Sequence, residues 1–188
     1  MVPTEALGET LLAIARNAIG REFGAALSAP PSLPALQEPG ATFVTLMKDG
    51  HLRGCIGSLE ALRPLAEDVA HNARAAAFRD PRFAPLAAAE WPDTQVEVSL
   101  LAPAEPIRFA SEPDLLAQLR VGEDGLILQW GHHRATFLPQ VWETLPDKRQ
   151  FLMELKRKAG LPQDFWEPGL VVLRYRVAKW REARALDS

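Results

Sequence analysis

The sequence predicts an α+β fold in which helices pack on a mainly antiparallel sheet. Its strand-forming segments follow one another in local pairs joined by tight turns, whereas a parallel sheet would alternate strands with helices. Apolar residues make up 47% of the 188 residues and charged residues 24%, which is the balance of a globular chain long enough to bury a core. We therefore expect a single domain over residues 1–188.

The first predicted element is an amphipathic helix. Apolar residues recur at intervals of three and four over Thr4–Leu27, and the hydroxyl of Thr4 is placed to cap the helix. Four prolines then fall within Ser28–Gly40, which excludes a helix or a central strand because proline lacks the backbone N–H. We expect a surface connection there.

A hairpin and a second helix come next. Ala41–Met47 is rich in strand-forming residues, Lys48-Asp49-Gly50 supplies a turn, and His51–Ile56 forms the returning strand. A helical apolar stripe then runs over Pro64–Phe78, and Asp80-Pro81 ends it. The cysteine-containing segment is therefore the second arm of a predicted hairpin.

The C-terminal half adds further strands and short helices. Gln95–Leu101 alternates apolar and polar side chains, so Glu97 lies on the polar face of a half-buried strand. A short helix over Asp114–Leu119 and a turn over Gly122–Gly125 are predicted next, followed by a hairpin in which Gly131–Arg134 joins Leu126–Trp130 to Ala135–Leu138. The last predicted elements are a helix over Gln140–Leu145, a helix over Asp147–Ala159 with its cap at Gly160, and a final strand over Leu170–Val177.

Charge and cysteine content exclude several classes of function. A formal net charge of -3 provides no broad basic field, so nucleic-acid binding is not favoured. A single cysteine forms no internal disulfide, and residues 1–9 lack the features of a secretory signal, which predicts a cytoplasmic protein. No stretch approaches the roughly 20 apolar residues that a membrane-spanning helix needs.

The only cysteine lies beside an arginine in the segment Leu52–Gly57. If this strand is regular, His51, Arg53 and Cys55 share one face, at spacings of roughly 6 to 7 Å between neighbours. The guanidinium of Arg53 could then bend toward the sulfur and favour the thiolate, which is how proteins activate cysteine.

Two glycines in the same segment need an explanation. Gly54 and Gly57 contribute no packing to a strand, which indicates a bulge, a bend, or the close approach of another backbone or a small ligand. An alternative stays open, in which the glycines shape a tight bend, Cys55 is a small buried apolar residue and Arg53 is a surface charge.

Four other polar residues are candidates for the same site. Glu97 could pair with Arg53 or act as a base, although an exposed glutamate is ordinary on an alternating strand. Asp80 and Arg82 flank a helix end, where a cap and a local ion pair are the simpler explanation. Asn72 lies on the polar side of the second helix and could point back toward the cysteine.

No metal or cofactor site is predicted. His132 and His133 are adjacent and would point in opposite directions on a strand, and neither Cys55 nor a carboxylate lies at the spacing of a zinc site. The chain also lacks the glycine-rich phosphate and dinucleotide loops and the Gly-x-Ser-x-Gly elbow. We expect neither a bound metal nor a cofactor.

The segment Leu52-Arg53-Gly54-Cys55-Ile56-Gly57 resembles the signature of the AMMECR domain family, also called AmmeMemoRadiSam system protein A. The resemblance covers roughly residues 8–180. The further segments that match family landmarks, in the expected order, are Pro64-Leu65, Asp68-Val69, Asn72-Ala73, Asp80-Pro81-Arg82-Phe83, Glu97-Val98-Ser99, Gly125-Leu126, Leu138-Pro139-Gln140-Val141 and Lys158-Ala159-Gly160-Leu161.

The resemblance implies a larger lobe and a smaller lobe, with the signature at a cleft between them. It also implies partners, because in many prokaryotes the family's genes accompany a Memo-like protein and a radical-SAM protein. No reaction is established for the family. The residues on which its suspected site falls are Arg53, Gly54, Cys55 and Gly57, with Asn72, Asp80, Arg82 and Glu97 in support.

Three functions therefore stay open. The first is a binding module that acts with the Memo-like and radical-SAM proteins through a docking surface or a site for a small anionic ligand. The second is a thiol-dependent enzyme or covalent carrier, with Cys55 as nucleophile, Arg53 stabilising a thiolate or a substrate anion, and Glu97 or His51 handling protons. Nucleic-acid binding is third, since no basic patch is evident.

Overall fold

The structure is a computed structural model that describes residues 3–183. It divides into two compact units, of which the larger comprises the chain up to Leu101 together with the described residues from Ala178, and the smaller is Ala102–Val177. The predicted α+β fold is confirmed, and every strand pair whose register is described is antiparallel. A single domain with a cleft between two lobes stays a prediction.

The described residues form the following helices and strands. In chain order they are α1 (Glu5–Gly20), β1 (Pro39–Lys48), β2 (His51–Gly57), β3 (Arg63–Pro64), α2 (Leu65–Phe78), β4 (Thr94–Leu101), β5 (Glu105–Pro106), α3 (Glu112–Gln118), β6 (Gly125–Trp130), β7 (His133–Phe137), α4 (Lys148–Lys158), β8 (Val171–Tyr175) and β9 (Val177–Arg181). Within this part of the chain, no helix is both long and apolar enough to cross a membrane.

The larger unit is a sheet with two helices on one face. Its strand order is β2-β1-β4-β9, and β3 pairs with β1. Val44, Leu46, Val96 and Val98 are fully buried and belong to the same apolar cluster as the inward faces of α1 and α2. Because side chains alternate along a strand, the residues between them lie on the opposite face of the sheet.

The first helix begins as predicted and ends earlier. The Thr4 hydroxyl accepts a hydrogen bond from the Leu7 amide at 3.2 Å, which confirms the cap. The predicted end at Leu27 is wrong, because α1 stops at Gly20 and one 3₁₀ turn leads to Gly24 in a left-handed conformation. Asn17 then holds the returning backbone of Ser28 through two hydrogen bonds.

The predicted hairpin is confirmed, with a shorter turn and an irregular second arm. Only Asp49 and Gly50 lie in the turn, and both have positive φ angles, of 51° and 78°. This is the two-residue connection whose twist matches that of the flanking strands. Further along, Leu46 pairs with Gly54 while Met47 pairs with Leu52, so β2 carries one extra residue in a bulge.

A buried carboxylate joins β1, the end of β2 and α2. Asp68 is fully buried, and its Oδ2 accepts from the amide and hydroxyl of Thr42 and from Asn72 at 2.7–3.0 Å. Its Oδ1 accepts from the Ser58 hydroxyl at 2.6 Å and pairs with Arg63 at 3.1 Å. Five donors therefore satisfy one carboxylate that has no access to water.

The smaller unit is a four-stranded sheet in the order β5-β8-β6-β7, with α4 in its core. Asp147 caps α4 and Gly160 adopts φ 81°, which confirms both predicted helix ends. The predicted helix Gln140–Leu145 is instead a 3₁₀ turn over Pro139–Glu143.

The predicted final strand, Leu170–Val177, is wrong in one important respect. Only Val171–Tyr175 of it forms a strand, β8, which pairs in the smaller sheet; its last residue, Val177, begins a separate strand, β9, which was not predicted and which joins β4 in the larger sheet. No proline and no helical segment separates β8 from β9 in the sequence. No local pattern therefore predicted that the chain passes from the smaller sheet to the larger one at this point.

We predict that Asp68→Asn strongly destabilises the protein. The amide offers one acceptor oxygen in place of two and turns an N–H toward groups that are themselves donors, so we expect a loss of about 3 kcal/mol in the free energy of unfolding, measured by urea denaturation. Glu67→Gln on the exposed side of the same helix is the control, with an expected change of at most about 1 kcal/mol. Equal effects of the two substitutions would contradict this interpretation.

Candidate functional site

Cys55 lies on an edge strand whose open side is closed by two side chains. β2 pairs with β1 on one side only, and on the other side Asp80 Oδ2 accepts from the Cys55 amide at 2.9 Å. Arg82 Nη2 donates to the Cys55 carbonyl at 3.2 Å. Together the two side chains satisfy the backbone groups that a neighbouring strand would otherwise bind.

The predicted ion pair between Asp80 and Arg82 is confirmed. The two side chains are 2.8 Å apart, and Asp80 Oδ1 also accepts from the Arg82 amide at 3.1 Å. The hydrogen bond from the Arg82 guanidinium, assisted by the Cys55 and Arg82 amides, holds the pKa of Asp80 well below its usual range. The Asp80 side chain is almost fully buried while that of Arg82 is half-exposed, so the carboxylate is fixed and the guanidinium borders on solvent.

The two glycines of the segment allow the close approach of other protein atoms, as predicted. A Cβ atom at Gly54 would collide with the Ala76 carbonyl oxygen, so helix α2 packs directly on the strand backbone. A Cβ atom at Gly57 would collide with the ring of Phe43, its partner across the strand pair. Protein atoms therefore fill the space that a side chain would occupy at each glycine.

Arg53 does not point at the sulfur. It is the extra residue of the bulge, and its Nε and Nη2 atoms each lie 2.9 Å from a Glu90 carboxylate oxygen. Nη1 donates to the Ala84 carbonyl at 3.0 Å. The predicted row of His51, Arg53 and Cys55 is therefore wrong, because the bulge interrupts the alternation and Glu90 holds the guanidinium.

The Cys55 thiol is protonated and half-buried. Burial raises its pKa, and this outweighs a hydrogen bond of 3.3 Å from the Thr45 hydroxyl to Sγ and the charge of Arg82, which lower it. The nearby carboxylates of Asp80 and Glu97 raise it further. The expected activation of the thiol by Arg53 is not found.

Glu97 is buried, contrary to the expectation of an exposed strand residue. Its side chain is 5% exposed and contacts two cations of β9, Lys179 at 3.2 Å and Arg181 with Nε 2.8 Å from Oε2. The proposed pairing of Glu97 with Arg53 is therefore wrong. Strand register aligns Glu97 with Thr45 and Thr45 with Cys55, so the three side chains form a row across β4, β1 and β2.

Asn72 belongs to the buried network of Asp68 and does not point to Cys55. Its Nδ2 lies 3.0 Å from the Thr42 carbonyl and 3.1 Å from the Ser58 hydroxyl. It fixes the chain just beyond the end of β2, so it supports the cysteine segment from a distance and takes no direct part in the site.

The two adjacent histidines lie in the smaller unit. His133 Nδ1 lies 3.0 Å from the Ala159 carbonyl oxygen, and the His132 ring stacks on that of His133 with centroids 4.4 Å apart. Among residues 3–183, no three histidine, cysteine or acidic side chains come together in a way that could hold a metal ion.

Comparison with known proteins identifies the family. The AMMECR1 family model matches residues 12–180. The chain belongs to the AMMECR1 family. A protein of Methanothermobacter thermautotrophicus is 42% identical over 180 residues, which cover 93% of this chain and 94% of that protein. A protein of Saccharolobus solfataricus is 42% identical over 171 residues, covering 86% of this chain and 75% of that one.

A solved structure shares the fold. The crystal structure of an uncharacterised protein from Pyrococcus horikoshii superposes with a TM-score of 0.82 at 35% identity. The match covers 97% of this chain and 94% of that chain. The resemblance inferred from the cysteine segment and its companion motifs is thus confirmed for family and fold.

Sequence reasoning missed four site residues of this AMMECR1 family member: Thr45, Glu90, Lys179 and Arg181. A regular hairpin with the turn at Asp49-Gly50 would place Val44 opposite Cys55, and only the one-residue bulge brings Thr45 there. Gly54, next to the bulge, is the sequence feature that could have indicated this one-residue change in strand pairing.

We predict that Cys55 alkylates as an unactivated thiol. The rate of iodoacetamide labelling should rise only at a pH above that of a free cysteine, about 8.5, because burial disfavours the thiolate. Thr45→Val removes the hydrogen bond to sulfur and should move the midpoint still higher, whereas Thr45→Ser should preserve it. A midpoint at or below that of free cysteine would contradict the assignment of a protonated thiol.

We also predict an acid-sensitive contribution from the pair of Arg53 and Glu90. The hydrogen bonds from Arg53 lower the pKa of Glu90 from 4.5 to about 2. The ionised form therefore stabilises the fold above the ordinary pKa, and this contribution is lost as pH falls toward 2.

Urea denaturation between pH 7 and pH 2 measures this contribution. Glu90→Gln should lower stability at pH 7 and flatten its decline in acid. Asp93→Asn, which removes a nearby exposed carboxylate without an ion-pair partner among the described residues, is the matched control. Equal pH profiles for wild type and Glu90→Gln would rule out the effect.

Proposed function

We propose that this protein is a binding module and that the surface around Leu52–Gly57 docks partner proteins. The family resemblance suggests a Memo-like protein and a radical-SAM protein as those partners. A cytoplasmic location follows from the same proposal, because the single cysteine is kept as a thiol and radical-SAM chemistry needs reducing conditions.

The observation that carries the proposal is that both arginines near the cysteine are paired with carboxylates. Arg53 is paired with Glu90 and Arg82 with Asp80, and the thiol is protonated. A catalytic nucleophile needs an adjacent base or a lowered pKa, and Cys55 has neither. Fixed, paired groups on a rigid strand are instead suited to binding, since little conformational entropy is lost on association.

An exposed leucine on this edge strand is suited to anchor a partner protein. Leu52 is 41% exposed beside the bulge, although most large apolar residues of the unit lie in the core. Apolar anchors surrounded by satisfied polar groups dominate the binding energy of many interfaces. We assign Leu52 this role, with Arg82 at the polar rim.

A thiol-dependent enzyme or covalent carrier is the second candidate. Its support is the hydrogen bond from Thr45 to the sulfur together with the partial exposure of Cys55. In that case Arg82, whose charge lowers the thiol pKa, would take the role first given to Arg53. Nucleic-acid binding has the least support, because the net charge is -3.

Co-purification with the two partner proteins tests the docking proposal. Leu52→Asp places a charge on the proposed anchor and should weaken association by about tenfold or more. Leu27→Asp is the matched control, because Leu27 is 45% exposed in the same unit and lies outside the cysteine segment. The experiment uses reducing, anaerobic conditions so that the radical-SAM protein stays intact.

Two outcomes would overturn the docking proposal. One is the absence of association between the wild-type chain and either partner. The other is equal association of the Leu52→Asp and Leu27→Asp variants, which would show that the cysteine segment lies outside the interface.

A further inference from the structure

The buried Glu97 carboxylate holds two cations side by side on β9. Arg181 contacts Oε2 of this carboxylate, and Lys179 contacts Oε1. Glu97 is 5% exposed, whereas the side chains of Lys179 and Arg181 are 44% and 54% exposed. Their common anchor is therefore buried, and their charged ends border on solvent.

The charges and hydrogen-bond donors of this cluster are not balanced. One carboxylate faces two cations, which leaves one positive charge in excess. The Nε and Nη2 atoms of Arg181 donate hydrogen bonds to Glu97. The other edge of the guanidinium, formed by Nη1 and the second N–H of Nη2, has no acceptor among the described residues. The Lys179 ammonium has three N–H groups and contacts one carboxylate oxygen.

We propose that Glu97, Lys179 and Arg181 form a carboxylate clamp that binds a small organic acid. A carboxylate carries one negative charge and would bring the cluster to neutrality. Its two oxygens match the free edge of the Arg181 guanidinium, which is the geometry of a bidentate arginine–carboxylate pair. Glu97 acts as a positioning residue, because it fixes both cations and does not touch the ligand.

The clamp lies at one end of the row that leads to the cysteine. Neighbouring strands are about 4.8 Å apart, so Cys55 lies roughly 10 Å from Glu97 across the sheet, with Thr45 between them. This inference is independent of partner docking, because the isolated chain contains all of the residues involved.

Amide shifts in NMR spectra of the isolated chain test the clamp. Titration with butyrate should shift the amides of Glu97, Lys179 and Arg181 saturably, whereas butyramide, which lacks the charge, should not. Sodium chloride at equal ionic strength controls for screening.

Matched variants separate the clamp from general surface charge. Arg181→Gln and Lys179→Gln should each weaken butyrate binding by about tenfold. Arg74→Gln should leave it unchanged, since Arg74 is equally exposed and pairs with Glu22 on the helical side of the unit. If Arg181→Gln does not fold, as judged by the dispersion of its spectrum, Lys179→Gln carries the test.

Three results would overturn the proposal. They are the absence of saturable shifts with butyrate, equal shifts with butyramide, and unchanged affinity in a folded clamp variant. Tighter binding of inorganic phosphate than of butyrate would overturn the assignment of a carboxylate ligand.

Discussion

The site depends on the hydrogen bonds that Asp80 and Arg82 make to the backbone of Cys55. An edge strand with open backbone groups pairs readily with other chains, and proteins close such edges in various ways. Here two side chains from the segment after α2 close the edge at one residue. The strand is thereby fixed without a further strand beside it, and the thiol keeps its position next to Thr45.

A second ion pair extends the same constraint along the chain. Arg53 binds both oxygens of Glu90 and the Ala84 carbonyl, so the segment after α2 is attached to β2 at two separate points. Arg53 and Arg82 thus each bind one carboxylate and at least one backbone carbonyl group. The excess positive charge of the unit's outer cluster lies instead on β9, which is separated from the cysteine strand by β1 and β4.

Local patterns predicted most of the fold and part of the site. Period-2 and helical spacings located α1, β1, β2, α2 and β4, and the short distance between Asp80 and Arg82 in the sequence indicated their ion pair. The passage of the chain into β9 is set by tertiary pairing and has no local pattern, and the bulge at Arg53 was indicated only by the neighbouring Gly54. The partners of Arg53 and Glu97 could therefore not be predicted, because both depend on contacts distant in sequence.

In the proposed function the cysteine segment binds partners through its shape, and the thiol is a protonated packing group. The most direct test is the affinity of the Cys55→Ala variant for the Memo-like and radical-SAM proteins, measured with the purified components. We expect a dissociation constant within about fivefold of the wild-type value, because truncation of a half-buried thiol removes little contact. A loss of binding of about a hundredfold or more, equivalent to about 2.7 kcal/mol, would contradict it.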